Sequence, residues 1–376
     1  MILRLKNQTL GKINLTRSYL SSLVFRRDSH SHDRRRRGYE RDVGIEEKKE
    51  HDGLFLCKSK GQHLLTNTRI LDAIVRCSDV RPTDTVLEIG PGTGNLTMKL
   101  LEASQNVVAV ELDKRMVEIL RKRVSDHGFA HKLTIIQKDV LKTDFPQFDL
   151  VVANIPYNIS SPLVAKLVYG SNTFRSATLL LQKEFSRRLL ANPGDSDFNR
   201  LAVNVKLVAD VKFVMDVSKR EFVPPPKVDS SVVMITPKEI IPDVNVQEWL
   251  AFTRSCFGKK NKTLGSMFRQ KKKVMELLSL SAERNGSKVG VMNQTCGDSD
   301  SDVEEDGDGK DDLLCLDTDA SMFKERVIGI LRTNGFEEKR PSKLSHSELL
   351  HLLSLFNRAG VFFHDITSLP MDLPES

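Results

Sequence analysis

Asn154-Ile155-Pro156-Tyr157 is a tetrapeptide whose groups suit one demanding reaction. It follows an apolar, strand-like run, Asp149-Leu150-Val151-Val152-Ala153, and lies downstream of a glycine-rich turn, Glu88-Ile89-Gly90-Pro91-Gly92-Thr93-Gly94. An amino group conjugated to a ring or a carbonyl is a poor nucleophile, because its lone pair is delocalised. The side-chain carbonyl of Asn154, with the backbone carbonyl of Ile155 or Pro156, can accept its two N–H hydrogens and draw the lone pair out of the plane. The ring of Tyr157 gives a flat substrate a surface to stack on. Methylation of such a nitrogen is the chemistry these residue types fit.

The turn before them suits the donor. Gly90, Gly92 and Gly94 are spaced G-x-G-x-G, which lets the backbone approach a ligand closely. A nicotinamide-type fingerprint would place a small residue at position 95, where Asn95 stands. Glu111 ends a second strand, 21 residues after Gly90, where a carboxylate can accept both hydroxyls of a ribose. Asp139 follows a third strand; it either binds an adenine amino group or caps Val140 to Lys142. In this chain order the set fits S-adenosylmethionine better than a nucleotide redox cofactor. No metal is expected. The five cysteines (Cys57, Cys77, Cys256, Cys296, Cys315) are odd in number and widely spaced without a C-x-x-C pair, which argues against a zinc site or a disulfide framework and for a reducing compartment.

Elements that could position these residues alternate along the chain. Ile70 to Val75 has helical periodicity, Thr85 to Ile89 reads as a buried strand, and Leu96 to Leu101 starts a helix. Val107 to Glu111, Leu133 to Ile136, Leu150 to Ala153 and Thr178 to Leu181 follow as strands, with a helix at Met116 to Val124. Val203 to Val208 and Val232 to Ile235 are expected as later strands. Strands alternating with helices predict a parallel, doubly wound α/β sheet of seven strands, with ligands at the carboxyl ends of the strands. After Pro237 the pattern turns helical, over Val246 to Phe257, Lys262 to Leu280, Ala320 to Arg332 and Ser347 to Ala359. Ser345 and Glu348 make a capping box for the last. The expected organisation is a polar segment over 1–53, a sheet domain over 54–237 and a smaller all-helical domain over 238–376.

Charge is distributed unevenly. The chain of 376 residues carries a net +7, yet Asp298 to Asp319 holds eleven acidic residues against Lys310 alone. That acidic Ser/Gly/Asp stretch, from about 284 to 319, has the composition of a disordered insertion. The rest is correspondingly basic, a balance suited to a polyanion. Arg254 to Lys273 contains Arg254, Lys259, Lys260, Lys262 and Arg269 with no acid, and reads as a phosphate-contacting surface for RNA. Residues 1–27 contain Arg4, Lys6, Lys12, Arg17, Arg26 and Arg27 with interspersed Leu and Ser and no acid, as a mitochondrial presequence would. Arg34 to Arg37 offers a nuclear or nucleolar address as the alternative. No apolar run reaches the ~20 residues of a membrane span.

The ordered segments resemble the ribosomal small-subunit rRNA adenine dimethyltransferases, the dimethyladenosine transferase or kasugamycin-resistance family, in its eukaryotic branch. Lys58 to Leu65, Glu88 to Gly94, Val110 to Asp113, Asp139 to Leu141, Asn154 to Tyr157, Gln182 to Phe185 and Phe222 to Ser231 carry the resemblance. It implies a Rossmann-like class I methyltransferase sheet acting as a monomer. It also implies an S-adenosylmethionine site built from His63, Leu65, Gly90, Gly92, Glu111, Asp139 and Asn154. The implied reaction is dimethylation of N6 on two adjacent adenosines near the 3′ end of small-subunit rRNA within a pre-ribosomal particle. In that reading Phe222 and Tyr157 cover opposite faces of the flipped adenine; otherwise the rigid Phe-Val-Pro-Pro-Pro segment is a structural crossover. Two rivals remain: a nucleic-acid-binding factor that keeps the fold as a scaffold, like related mitochondrial transcription factors, and a large-subunit rRNA adenine methyltransferase.

Overall fold

The computed structural model describes residues 63–284 and 316–365. The expected presequence lies outside the described residues, as does most of the insertion expected over about 284–319; its ends, Arg284 and residues 316–319, are described and belong to helices. The chain divides into two compact units. Residues 63–190 and 208–240 form one, and the described parts of 191–207 and 241–365 form the other.

The first unit opens with a short strand β1 (Leu64–Leu65) and helix α1 (Thr68–Cys77). It continues with β2 (Thr85–Ile89), α2 (Asn95–Ala103), β3 (Asn106–Val110), α3 (Lys114–Asp126), β4 (Leu133–Ile136) and β5 (Leu150–Asn154). Then come α4 (Ser160–Tyr169), β6 (Ala177–Gln182) and α5 (Lys183–Leu190). The chain passes through α6 (Arg200–Val208), most of which belongs to the other unit, before β7 (Ala209–Val217), β8 (Phe222–Val223) and β9 (Ser230–Pro237).

Seven strands form one sheet in the order β4-β3-β2-β5-β6-β9-β7. The inner strands are apolar on both faces: Val86, Leu87, Val107, Leu150, Val151 and Val152 are buried. Such continuous burial requires helices on both sides of a parallel sheet. β2 pairs in parallel with β3 and β5, β3 with β4, and β5 with β6. β9 departs from the expected all-parallel sheet, since it runs antiparallel to both β6 and β7. Residues 218–229 join β7 to β9 without a crossover helix, and a parallel return would need one.

The expected strand at Val203 to Val208 is helical, within α6. Its Val-x-Val-x-Leu alternation imitates a strand, but every residue from Leu201 to Val208 except Lys206 is buried, so no solvent face marks either period. Asn199 Oδ1 accepts from Leu201 N at 2.8 Å and starts the helix. The strand that occupies the sheet edge is β7, whose polar residues Asp210, Lys212 and Asp216 hid it in the sequence.

The second unit adds α7 (Val246–Phe257), α8 (Leu264–Phe268), α9 (Lys271–Arg284), α10 (Leu316–Thr333) and α11 (His346–Arg358). The single helix expected over 262–280 is broken at Arg269–Gln270. An unbroken helix would carry the buried face of Leu264, Met267 and Phe268 on to Lys271 and Lys272; the break re-phases the chain so that Val274 and Leu277 turn inward. Trp249, Phe252, Phe268 and Phe356 fill this core. α11 begins with the expected capping box: Glu348 N donates to Ser345 Oγ at 3.2 Å, and Ser345 N to Glu348 Oε2 at 2.9 Å.

Candidate active site

The strand order reverses between β2 and β5, and a cleft of about 680 Å³ opens there, at the carboxyl ends of the strands. Register explains which residues reach it. Ile89 pairs with Val110 and Val110 with Ile136, so Gly90, Glu111 and the chain leading to Asp139 leave the sheet side by side. Gly90 N donates to Val110 O at 3.0 Å, and Glu111 N to Ile136 O at 3.1 Å. His63, Leu65, Gly90, Gly92, Glu111 and Asp139 all line this one cleft, as do Asn154, Ile155, Pro156 and Tyr157.

All three glycines of the turn have a left-handed φ, and two of them also lack room for a Cβ. Gly92 has φ +56°, and a Cβ there would lie 2.8 Å from Leu64 Cδ2; Gly94 has φ +90°, and its Cβ would lie 2.6 Å from Leu120 Cδ1. Asn95, the departure from the redox fingerprint, has a structural use: its Nδ2 donates to Leu65 O at 2.8 Å, and its Oδ1 accepts from Arg123 at 2.7 Å. The segment before the sheet is thereby fastened over the turn.

Glu111 is held by three backbone amides. Leu112 N and Asp113 N donate to Oε1 at 2.9 Å each, and Gly92 N donates to Oε2 at 3.3 Å. Burial raises its pKa while these bonds oppose the rise. A carboxylate oxygen can accept more than one donor, so Oε2 keeps capacity for a ligand hydroxyl. Asp139 caps the turn Val140–Lys142, its Oδ1 accepting from Leu141 N at 3.0 Å, and it also lines the cleft. Beside Glu111, Leu112 is 69 % exposed, an apolar side chain at the cleft wall.

Asn154 is oriented by a partner. Its Nδ2 donates to His63 O at 3.2 Å, which turns Oδ1 away from that carbonyl. The Pro156 carbonyl accepts from Ile159 N at 3.1 Å, closing the turn Tyr157–Ile159, so the carbonyl of Ile155 is the better second acceptor for a substrate amine. Tyr157 shares a 2.8 Å hydrogen bond with Ser230 Oγ and faces the His63 ring, with centroids 6.2 Å apart and planes 22° from parallel. His63 Nδ1 donates to Pro224 O at 2.8 Å. One histidine therefore ties the proline-rich segment to both Asn154 and Tyr157.

Two placements differ from expectation or add to it. Phe222 is 2 % exposed and does not line the cleft. It pairs with Leu65 across β1 and β8 and packs in the core with Leu71, Leu96 and Val217, a placement that suits the crossover reading. Glu88, quoted in the turn but not assigned a role, is 1 % exposed, lines the cleft, and has no partner for Oε2 among the described residues. Burial, reinforced by the nearby Glu111 charge, pushes its pKa up to about 8. A charged residue in the middle of an apolar strand was the signal that could have found it.

The basic run lies in the helical unit and is not uniform. Arg254, Lys259 and Lys262 are exposed. Lys260 Nζ donates to Ser196 O at 2.8 Å and Phe198 O at 3.4 Å. Arg269 is ion-paired with Glu337, which Arg332 also contacts at 3.1 Å. Among the described residues no group of three or more His, Cys, Asp or Glu is gathered to hold a metal ion, and no helix is long and apolar enough to cross a membrane.

Residues 56–298 match the family described as Ribosomal RNA adenine dimethylase. The chain is 91 % identical, over the full length of both, to the Arabidopsis thaliana protein named "Ribosomal RNA small subunit methyltransferase, mitochondrial". It is 40 % identical to the Schizosaccharomyces pombe dimethyladenosine transferase, over 81 % of this chain and 92 % of that one. The crystal structure of a Plasmodium falciparum dimethyladenosine transferase superposes with a TM-score of 0.66 at 37 % identity, covering 80 % of this chain and all of the other. Cleft, glycine turn and Asn-Ile-Pro-Tyr motif all lie within the matched span, and the chain belongs to the ribosomal RNA adenine dimethylase family.

Proposed function

We propose that this protein transfers methyl groups from S-adenosylmethionine to N6 of two adjacent adenosines near the 3′ end of small-subunit rRNA, in the mitochondrion and on a pre-ribosomal particle. The observation that carries the reading is the Asn154-Ile155 pair of carbonyls at the mouth of a nucleotide-type cleft, with Asn154 already oriented by His63 O.

The residues present fit the donor. The unpartnered Glu88 Oε2 suits the ammonium of an amino acid moiety, the tethered Glu111 carboxylate suits ribose hydroxyls, and Asp139 with Leu112 suits a purine edge and face. S-adenosylmethionine, when bound, supplies a methyl group made electrophilic by the adjoining sulfonium. The protein's own part is placement. Asn154 Oδ1 and Ile155 O accept the two N–H hydrogens of the adenine amine, which turns its lone pair out of the ring plane. Tyr157, fixed through Ser230, supports one face of the base once it has left its stack. No strong base is required, because the nitrogen becomes acidic as it is methylated. After one transfer the amine retains a single N–H, enough for one of the two acceptors, so a second methyl can follow. Rate enhancement then comes from positioning and from fixed dipoles.

The carrying observation has a direct test. Asn154→Ala should keep measurable S-adenosylmethionine binding by calorimetry and lose about 100-fold or more in methyl transfer to small-subunit rRNA. Full activity in that variant would remove Asn154 from the mechanism. The compartment rests on the basic, acid-free character of residues 1–27 together with the mitochondrial name of the near-identical relative.

A further inference from the structure

The basic run in the helical unit borders a shallow hollow that draws a residue from far along the chain. Lys259, Lys260, Lys262, Thr263 and Ser266 line it together with Arg340, and no acidic side chain does. Arg340 is brought there by backbone pairing. Leu264 N donates to Lys339 O and Gly265 N to Glu337 O, each at 2.9 Å. Gly265 is needed for this approach, because a Cβ there would lie 2.7 Å from Glu337 Cγ and 2.9 Å from its carbonyl oxygen.

The cations around the hollow have different commitments. Lys260 is occupied with the carbonyls of Ser196 and Phe198, and Arg269 with Glu337. Lys259, Lys262 and Arg340 are exposed and are engaged in no ion pair among the described residues. A planar guanidinium, two ammonium groups and the Ser266 hydroxyl lining one hollow match a singly charged group with two free oxygens.

We propose that Arg340, Lys259 and Lys262 hold one backbone phosphate of the RNA substrate, whereas Lys260 and Arg269 build the hollow. This assignment rests on the RNA reading given above and adds to it a contact, Arg340, that lies outside the basic run. It also removes two members of that run from the contact surface.

The test is the salt dependence of binding to a 3′-terminal small-subunit rRNA fragment, measured for the full-length protein. Arg340→Gln should weaken binding several-fold at moderate salt and reduce the slope of log affinity against log salt by about 0.7–1. Lys259→Gln with Lys262→Gln should lower the slope by no more than the same amount, alone or combined with Arg340→Gln, because the three side chains share one phosphate. Lys260→Gln and Arg269→Gln should leave the slope at its wild-type value and lower the melting temperature instead. All these variants should bind S-adenosylmethionine as the wild type does. An unchanged slope for Arg340→Gln beside a salt-dependent wild type would overturn this assignment alone. A wild type without salt-dependent RNA binding would overturn the RNA reading itself.

Discussion

Phe222 lies among Leu65, Leu71, Leu96 and Val217, so shortening it should act on stability before it acts on chemistry. Phe222→Ala should cost about 3–5 kcal/mol in urea unfolding, and Phe222→Leu much less, with methyl transfer by Phe222→Leu within a few-fold of wild type. A Phe222→Leu protein of normal stability that binds the donor but no longer methylates would return the ring to the substrate. Glu88 presents the opposite case, a buried carboxyl whose Oε2 has no hydrogen-bond partner among the described residues. Its folded-state pKa, raised from 4.5 to about 8, means the folded protein holds a proton that the unfolded chain releases across that range. This group's contribution to stability is therefore complete below about pH 4.5 and declines as pH rises towards 8, at about 1.4 kcal/mol per unit as an upper bound. Wild type should lose stability between pH 5 and 8 relative to Glu88→Gln in denaturant titrations; parallel curves would mean that Glu88 has another neutraliser.

At the scale of elements, the groups proposed for the chemistry stand at strand ends, and parallel register puts them together. The strands buried on both faces were legible, because Thr85 to Ile89, Val107 to Val110 and Leu150 to Ala153 are short apolar runs that each end in a glycine, an acid or an amide. What the one-dimensional pattern could not carry was direction and distance. β9 is reversed because of what the connection lacks, and α6 is a helix because burial on all sides erases the period. The Pro156 carbonyl is taken by a turn that begins at the next residue. The proline-rich setting of Phe222 says rigid without saying which way the ring turns, and the structure turns it into the core. The glycine turn allows a sharper measurement than any of these. Gly94→Ala meets both a left-handed φ and a 2.6 Å approach to Leu120, whereas Gly128→Ala, at φ +74°, has nothing within 4 Å. Gly128→Ala should cost only the backbone penalty of about 1–2 kcal/mol, and Gly94→Ala distinctly more, with weakened donor binding. Equal losses in thermal unfolding would mean that Leu120 gives way freely.

For the whole molecule, one unit holds the cleft, and the other holds the exposed Lys259, Lys262 and Arg340. The acidic stretch explains why a net charge of only +7 coexists with surfaces fit for RNA. A scaffold that had lost its enzyme would have no use for an oriented Asn154, a triply tethered Glu111 or an unpartnered Glu88, whereas a methyltransferase needs the first two and explains the third. The central claim is that this cleft dimethylates adenosine in small-subunit rRNA, and the most direct measurement maps dimethyladenosine in that rRNA. Mitochondrial and cytosolic small-subunit rRNA should be compared from cells lacking the protein and from the same cells supplied with wild type or Asn154→Ala. The expected result is a pair of adjacent N6,N6-dimethyladenosines near the 3′ end of the mitochondrial molecule, absent without the protein, restored by wild type and not by Asn154→Ala. Marks that persist in its absence, or that Asn154→Ala restores in full, would contradict the account.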